Sequence, residues 1–484
     1  MIKKYFISNI FIVLLLNLLV KPIWIFFIDR KVQLTVGHEV YGLYGAFVGL
    51  TLIFNIILDF GITNYNNKSV AADTGLIEKN LPNMLLAKIL LSFVYFLVIF
   101  LVTFLLHYDK NALMLVGSIG VIQMLNSFLL FLRSNVSANH HFKTDSLLSV
   151  LDKLIMIIIC GYFLYFSDKQ SQFKIEWFIM IQVVAYLLAI SYSVFIITRR
   201  YTKIHYSHIS VEKILNVSKS SIPYALLILF MAIYMRSDTL MLERISGAEQ
   251  NSLYLEAYRV LDASNMIAYL FAVVLLPMFS RMLSKKLNIE SLVVITSNIM
   301  ISFSLAMAAF CVVYAEEITT LLYPKDASFD LTFIFQWVMG SFPAFCIMYI
   351  YSTLLTANDN IKLLTKIAFV GSLFSIVLNS FMIHYFEAKG AAITCFVIEW
   401  GVGIAYIIYC VRILKISTGV LRVFKFLTVF VAVLLFNYFL KYLNVNLLVT
   451  IPFNGLFFIG LVYIIRLWDR KYIETYLKLL KLNN

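Results

Sequence analysis

The chain has 484 residues, 62% of them hydrophobic and only 13% charged, with a mean hydropathy of +0.89 and a formal net charge of +13. That composition excludes a water-soluble enzyme and makes the bilayer the solvent. In such a chain surplus Lys and Arg report topology, so the positive charge is no sign of a nucleic-acid partner.

The N-terminus, Met1-Ile-Lys-Lys followed by an apolar run, imitates a secretory signal. It has no small-residue cleavage site and the run extends to Ile28, so a retained first span is expected. Runs long enough to cross roughly 30 Å of hydrocarbon predict an all-α polytopic membrane protein of about fourteen helices, twelve and thirteen being the other counts the runs permit. In chain order they are 5–28, 40–63, 84–107, 111–132, 146–167, 174–198, 218–243, 255–280, 291–314, 329–356, 362–384, 389–414, 420–441 and 445–467. The run 329–356 is long enough to tilt, or to break between Gly340 and Pro343. No connection exceeds about 21 residues, and the longest outer loops, 29–39 and 315–328, leave no room for an extramembrane catalytic domain.

With the N-terminus inside, the cytoplasmic turns and tails hold about 24 of the 39 Lys and Arg, the opposite loops about 9 and the spans about 6. Both termini are therefore expected in the cytoplasm. The densest basic loop, Arg199-Arg200 through Lys203, Lys213 and Lys219, reads as a topology signal that also suits anionic headgroups. The five cysteines lie singly in apolar spans without metal or redox spacing. His140-His141 and His205-x-x-His208 lack a third ligand nearby in sequence, and no glycine-rich phosphate loop is present. No metal and no cofactor are expected.

The halves of the chain show traces of duplication. Ser8 and Tyr41 match Ser221 and Tyr254 at one offset, and Ala138-Asn139-x-x-Phe142-Lys143 matches Ala357-Asn358-x-x-Ile361-Lys362. The expected organisation is an N-terminal six-helix bundle (1–200), a cytoplasmic linker (201–217), a second six-helix bundle (218–415) facing it across a central cavity, and two further helices with a tail (416–484).

Ionisable residues inside spans are functional candidates by default. Arg236, Asp238, Arg259 and Asp262 occupy spans seven and eight, and at 1.5 Å per residue both arginines fall in the outer third. Lys21, followed by Pro22, reaches a similar depth from span one. An inner set comprises Asp59, Lys88 and the Asp152-Lys153 pair, and Glu399 is the deepest carboxylate. The plainer reading is that each cation neutralises a neighbouring acid and helps helices pack. Guanidinium beside a cavity suits a different task, because its planar fork grips phosphate and keeps its charge. The arginines are accordingly expected to bind an anion or to form an outer gate with Asp238 and Asp262, while the inner charges and Glu399 serve coupling, gating or packing.

Ser221-Ile-Pro223, Met235-Arg236-Ser-Asp238, Leu253-Tyr254 through Tyr258-Arg259, and Leu275-Leu-Pro277 through Arg281 resemble helices seven and eight of Wzx-type polysaccharide repeat-unit flippases. Tyr41-Gly42-Leu-Tyr44, Leu58-Asp59-Phe60-Gly61-Ile62, Ala357-Asn358, Leu378-Asn379, Lys389-Gly390-Ala-Ala392 and Glu399 extend the resemblance in order. These flippases belong to the multidrug/oligosaccharidyl-lipid/polysaccharide exporter superfamily. The resemblance implies a non-enzymatic protein of the bacterial inner membrane. It would move an undecaprenyl-pyrophosphate-linked O-antigen or capsule unit from the cytoplasmic to the periplasmic leaflet. Its cation-lined cavity would map onto Lys21, Arg236 and Arg259, its partners being the lipid-linked oligosaccharide, the bilayer, a polysaccharide polymerase and glycosyltransferases.

Two rival classes share parts of this pattern. A drug/cation antiporter of the same superfamily wants carboxylates in the first bundle, whereas span one offers Asn9, Asn17 and Lys21. A polysaccharide polymerase or ligase would carry arginines on a large outer loop, which this chain lacks. The related lipid II flippases share the cavity logic without their N-terminal arginine pattern appearing here.

Overall fold

The computed structural model describes residues 16–468 except 18, 64–65, 67–69, 71–75, 140–141, 169, 201–210 and 417–419. The His140-His141 and His205/His208 pairs lie outside the described residues, as does most of the expected linker. Every regular element among the described residues is helical.

The first helix passes through a π-helical segment, Trp24–Asp29, into α1 (Arg30–Val36), and Gly37 at φ 92° turns the chain into α2 (His38–Ile53). A 3₁₀ segment, Asn55–Leu58, follows α2. Then come α3 (Leu76–Leu105), α4 (Lys110–Ala138), α5 (Phe142–Gly161) with a π-helical end Tyr162–Phe166, α6 (Ile175–Arg200) and α7 (Val211–Ser246). The remainder is α8 (Ala248–Ser284), α9 (Glu290–Val313), α10 (Ala315–Leu322), α11 (Phe329–Gly340), α12 (Phe342–Ala357), α13 (Ile361–Leu414), α14 (Val420–Tyr442) and α15 (Leu447–Ile464).

Among the described residues eleven helices are long and apolar enough to cross a membrane. That count omits the first two expected spans, which π and 3₁₀ segments interrupt, and takes α13 as one. In α13 the backbone reverses at Glu387 (φ 51°, ψ −131°), so its 54 residues form the two expected spans joined by a tight turn. A Cβ on Gly390 would collide with the Met382 carbonyl oxygen, which is why glycine stands there. The tenth run breaks at Ser341, with Pro343 in the first turn of α12, where its missing N–H costs nothing.

Two sequence expectations fail at helix ends. Residues 29–39 are no outer loop, because the first helix continues to Val36, and 315–328 contains α10. Polar residues such as Arg30, Lys31 and Gln33 mask that continuation in a hydropathy reading; Gln33 is buried and donates to the Ser252 carbonyl and hydroxyl oxygens at 3.0 and 2.8 Å.

The chain forms two compact units, 1–252 and 253–484, dividing inside α8 rather than in the 201–217 stretch. In the first unit α2 lies against α7 and the start of α8 through glycine contacts: a Cβ on Gly42 would strike the Ala248 carbonyl at the start of α8, and one on Gly49 would meet the Thr239 hydroxyl and, at 3.2 Å, the Arg236 carbonyl of α7. Small residues let backbones approach in a solvent where hydrophobicity offers no drive between helices. Phe93, Leu97, Phe104 and Leu105 of α3 face outward, as a lipid-contacting stripe should. In the second unit α9 is the most enclosed span, 83% buried, and α14 and α15 close over it through Val429, Val433, Phe458 and Val462 against Ala306 and Ala309.

Candidate substrate-binding site

In the first unit the π-helical segment presents Trp24. π segments recur at functional sites because they re-aim side chains at a cost in helix geometry. Trp24 stacks on Phe178 of α6 with centroids 5.7 Å apart and planes 7° off parallel, and Tyr44 of α2 meets Phe178 edge-on at 5.7 Å. Gln182 Nε2 donates to the Tyr44 hydroxyl at 3.1 Å, and the Tyr41 hydroxyl donates to Asp29 at 2.9 Å.

Lys153 of α5 brings charge to this aromatic wall. Its Nζ lies 5.1 Å from the Trp24 ring centre, 5.4 Å from that of Tyr186 and 3.4 Å from Asp152 Oδ2, with the side chain 20% exposed. Lys21 lies within electrostatic reach of Lys153, Asp152 and Arg133, and Arg133 Nε donates to Asp145 at 2.9 Å. Three cations thus act around Asp152 and Asp145 beside stacked rings. Phe178, Tyr44 and Tyr186 are buried and Trp24 is half-buried, so Trp24 is the ring of this group that a sugar face can reach beside the ammonium groups.

Lys21 thus acts within the Asp152–Lys153 group of the first unit. The first helix ends at Val36 instead of Ile28, so Lys21 sits about 22 Å from that end. The same extension brings Asp29 into the first helix, which removes the argument that this span carries no carboxylate.

Asp59 and Lys88 pair separately: Lys88 Nζ lies 2.7 Å from Asp59 Oδ1, and the lysine is fully buried. In α7, Arg236 is half-buried, its carbonyl accepting from the Thr239 hydroxyl at 3.0 Å, while Asp238 is buried and accepts from the Thr239 N–H at 2.8 Å. In the second unit Arg259 is 5% exposed and its Nη1 donates to the Tyr323 hydroxyl at 2.8 Å. Asp262, one turn on, is half-buried, and Glu399 of α13 is 2% exposed. Tyr323, Trp24, Tyr44, Phe178 and Tyr186 did not stand out in sequence, since 16% of the chain is aromatic.

The sequence model of a family described as "Polysaccharide biosynthesis protein" matches residues 6–283. The chain belongs to this polysaccharide biosynthesis protein family. No curated protein matches in sequence. Among solved structures, the lipid II flippase MurJ in an inward closed conformation matches with a TM-score of 0.65 and 14% identity, covering 95% of this chain and 98% of that one. A multidrug-resistance MATE transporter of the MOP superfamily, inward-facing, gives 0.59 and 13%, with 81% and 100% covered. A MATE bound to MaL6 gives 0.58 and 13%, with 83% and 94% covered. At these identities the likeness is one of fold. The polysaccharide family expected from the sequence is borne out, and the chain is a multi-pass membrane protein that shares its fold with these transporters.

The second unit of this family member also holds an apolar cavity of about 680 Å³ between α9, α11, α12, α13 and α14. Ile301, Leu305, Ile347, Phe396 and Phe430 line it, together with Arg422.

Proposed function

We propose that the protein moves a lipid-linked oligosaccharide, an undecaprenyl-pyrophosphate-bound O-antigen or capsule unit, from the cytoplasmic to the periplasmic leaflet by alternating access. It does so in the bacterial inner membrane with both termini in the cytoplasm, next to a polymerase and glycosyltransferases. The observation that carries the reading is the juxtaposition of Lys21, Lys153 and Asp152 with Trp24, Phe178, Tyr44 and Tyr186. Pyrophosphate asks for fixed cations and sugars ask for an aromatic face; Lys153 keeps part of its side chain exposed and Trp24 is the partly open ring, held from behind by the buried Phe178, Tyr44 and Tyr186. The apolar cavity of the second unit suits a stretch of prenyl chain, since burying hydrocarbon there needs no hydrogen bonds. In this scheme Arg236 and Arg259 act as the outer anion contacts or gate, and Asp238, Asp262 and Glu399 as coupling or gating groups. In the same scheme alternating access comes from rocking of one helical bundle against another.

The test is surface glycan in cells carrying Lys153→Gln, and separately Arg236→Gln with Arg259→Gln, after membrane expression is confirmed. Loss of polymer supports the anion role, and unchanged polymer in both variants overturns it. Asp29 within the first helix favours a second reading, a drug/cation antiporter. That reading expects Asp29→Asn to abolish drug resistance and leave surface glycan intact.

A further inference from the structure

The α2 segment does not end like an ordinary helix. After the 3₁₀ turn Asn55–Leu58 the backbone reaches φ −129° at Asp59, then positive φ at Phe60 (42°) and Gly61 (80°). This unwinding releases the Leu58 carbonyl, which accepts from Lys88 Nζ at 3.0 Å and from the Ser127 hydroxyl at 3.2 Å. Lys88 Nζ also donates to Asp59 Oδ1 at 2.7 Å and to Ser127 Oγ at 2.8 Å.

An ammonium has three donors, and here each has one oxygen: a backbone carbonyl, a carboxylate and a hydroxyl. These come from the end of the second helix and from α4, while the ammonium arrives on α3. Thr63 holds the carboxylate from the other side through its N–H, 3.3 Å from each oxygen, and through its hydroxyl. Among the described residues Asp59 is the one charged group acting on Lys88. Unwound carbonyls at the C-terminal end of a broken helix, joined by a carboxylate and a hydroxyl, are the means by which membrane transporters bind a coupling cation. A single carboxylate balances a single positive charge, and a divalent ion would want more.

We propose that Leu58 O, Asp59 Oδ1 and Ser127 Oγ form a monovalent-cation site whose occupant is the chain's own Lys88 ammonium. The tethered charge does the work a dissolved ion would do: it screens Asp59 and pins the broken end of the second helix to α3 and α4. On the transporter reading above, the consequence is that movement of this helix end draws no sodium at this point.

Shortening the lysine vacates the cage, so a dissolved ion should enter it. Purified full-length protein is melted in about 150 mM NaCl and in choline chloride of equal concentration. The wild type should melt alike in both, and Lys88→Ala, extracted in each salt, should melt about 3 °C higher in NaCl, as expected for an ion that binds only the folded form. Adding Ser127→Ala should erase the difference. Equal melting of Lys88→Ala in the two salts, a variant unfolded in both, a sodium response already present in the wild type, or a difference that survives Ser127→Ala overturns the proposal. No substrate enters this measurement, so its failure leaves the flippase reading standing, and unchanged glycan in the arginine and Lys153 variants leaves the cation site standing.

Discussion

Lys153 is the residue on which the anion-binding reading turns, because it joins an acid, Asp152, to the rings of Trp24 and Tyr186 while one-fifth of its side chain stays exposed. Lys153→Gln should lower surface glycan by about tenfold, the size expected when a charge-assisted hydrogen bond to phosphate is lost. On the proposed function Trp24→Leu should weaken export with little change in the amount of folded protein, since leucine keeps an apolar side chain and loses the ring proposed to meet sugar. Arg259 allows a finer comparison. Tyr323→Phe removes one hydrogen bond and leaves the guanidinium charge, so glycan should fall less in that variant than in Arg259→Gln. The charged members of these sites were legible in the sequence because charge is rare in an apolar chain. Their partners were not: Tyr323 lies 64 positions from Arg259, and the wall rings are a few among many aromatics. Lys21 was legible as a candidate, whereas the end of its helix was not, because a polar continuation to Val36 does not look like membrane helix in a hydropathy reading.

At the scale of elements, long apolar runs announced most helices, but breaks inside them were legible only where glycine or proline marked them. The hairpin within α13 appeared as two runs, and the structure adds the reason it is tight: Gly390 sits where a Cβ would enter the Met382 carbonyl. Gly390→Ala should cost about 2 kcal/mol or more and appear as loss of membrane-inserted protein by fluorescence-detected size exclusion. The unwinding after Leu58 was hidden, because Leu58-Asp59-Phe60-Gly61-Ile62 lies within an apolar run whose only outward signs are one acid and one glycine. The C-terminal pair shows how polar residues fix helices in lipid. Asn437 Nδ2 donates to Asn454 Oδ1 at 3.2 Å, and Asn454 returns the bond to Asn437 Oδ1. Asn437→Leu leaves the second amide buried in an apolar contact and should destabilise by about 1 kcal/mol. The double Leu variant should recover part of that loss, because no polar group is then stranded.

For the whole molecule, composition made the fold class legible and the basic loops gave an orientation, while the division into units was not legible. The chain separates inside α8, at Ser252 and Leu253, because α7 and the first turn of α8 pack on α2 through Gly42, Gly49 and Asn251, whose Nδ2 donates to the Gly42 carbonyl at 2.7 Å. Repeat positions in sequence cannot reveal such an exchange, since glycine contacts carry no hydropathy signal. Orientation yields a test by parity. If both termini are cytoplasmic, the turn after α13 is cytoplasmic and the turn between α14 and α15 is outside. Fluorescent protein fused after residue 415 or after 484 should therefore be bright, and alkaline phosphatase fused at either point inactive. After residue 444 the two reporters should exchange behaviour. Because α14 and α15 form an even pair, removing both should preserve the sidedness of the new C-terminus and removing one should invert it. The same reporter activity at 415 and 444 would mean that α14 does not cross, and inversion at all three points would place the termini outside and reverse the direction assigned to every charge in the spans.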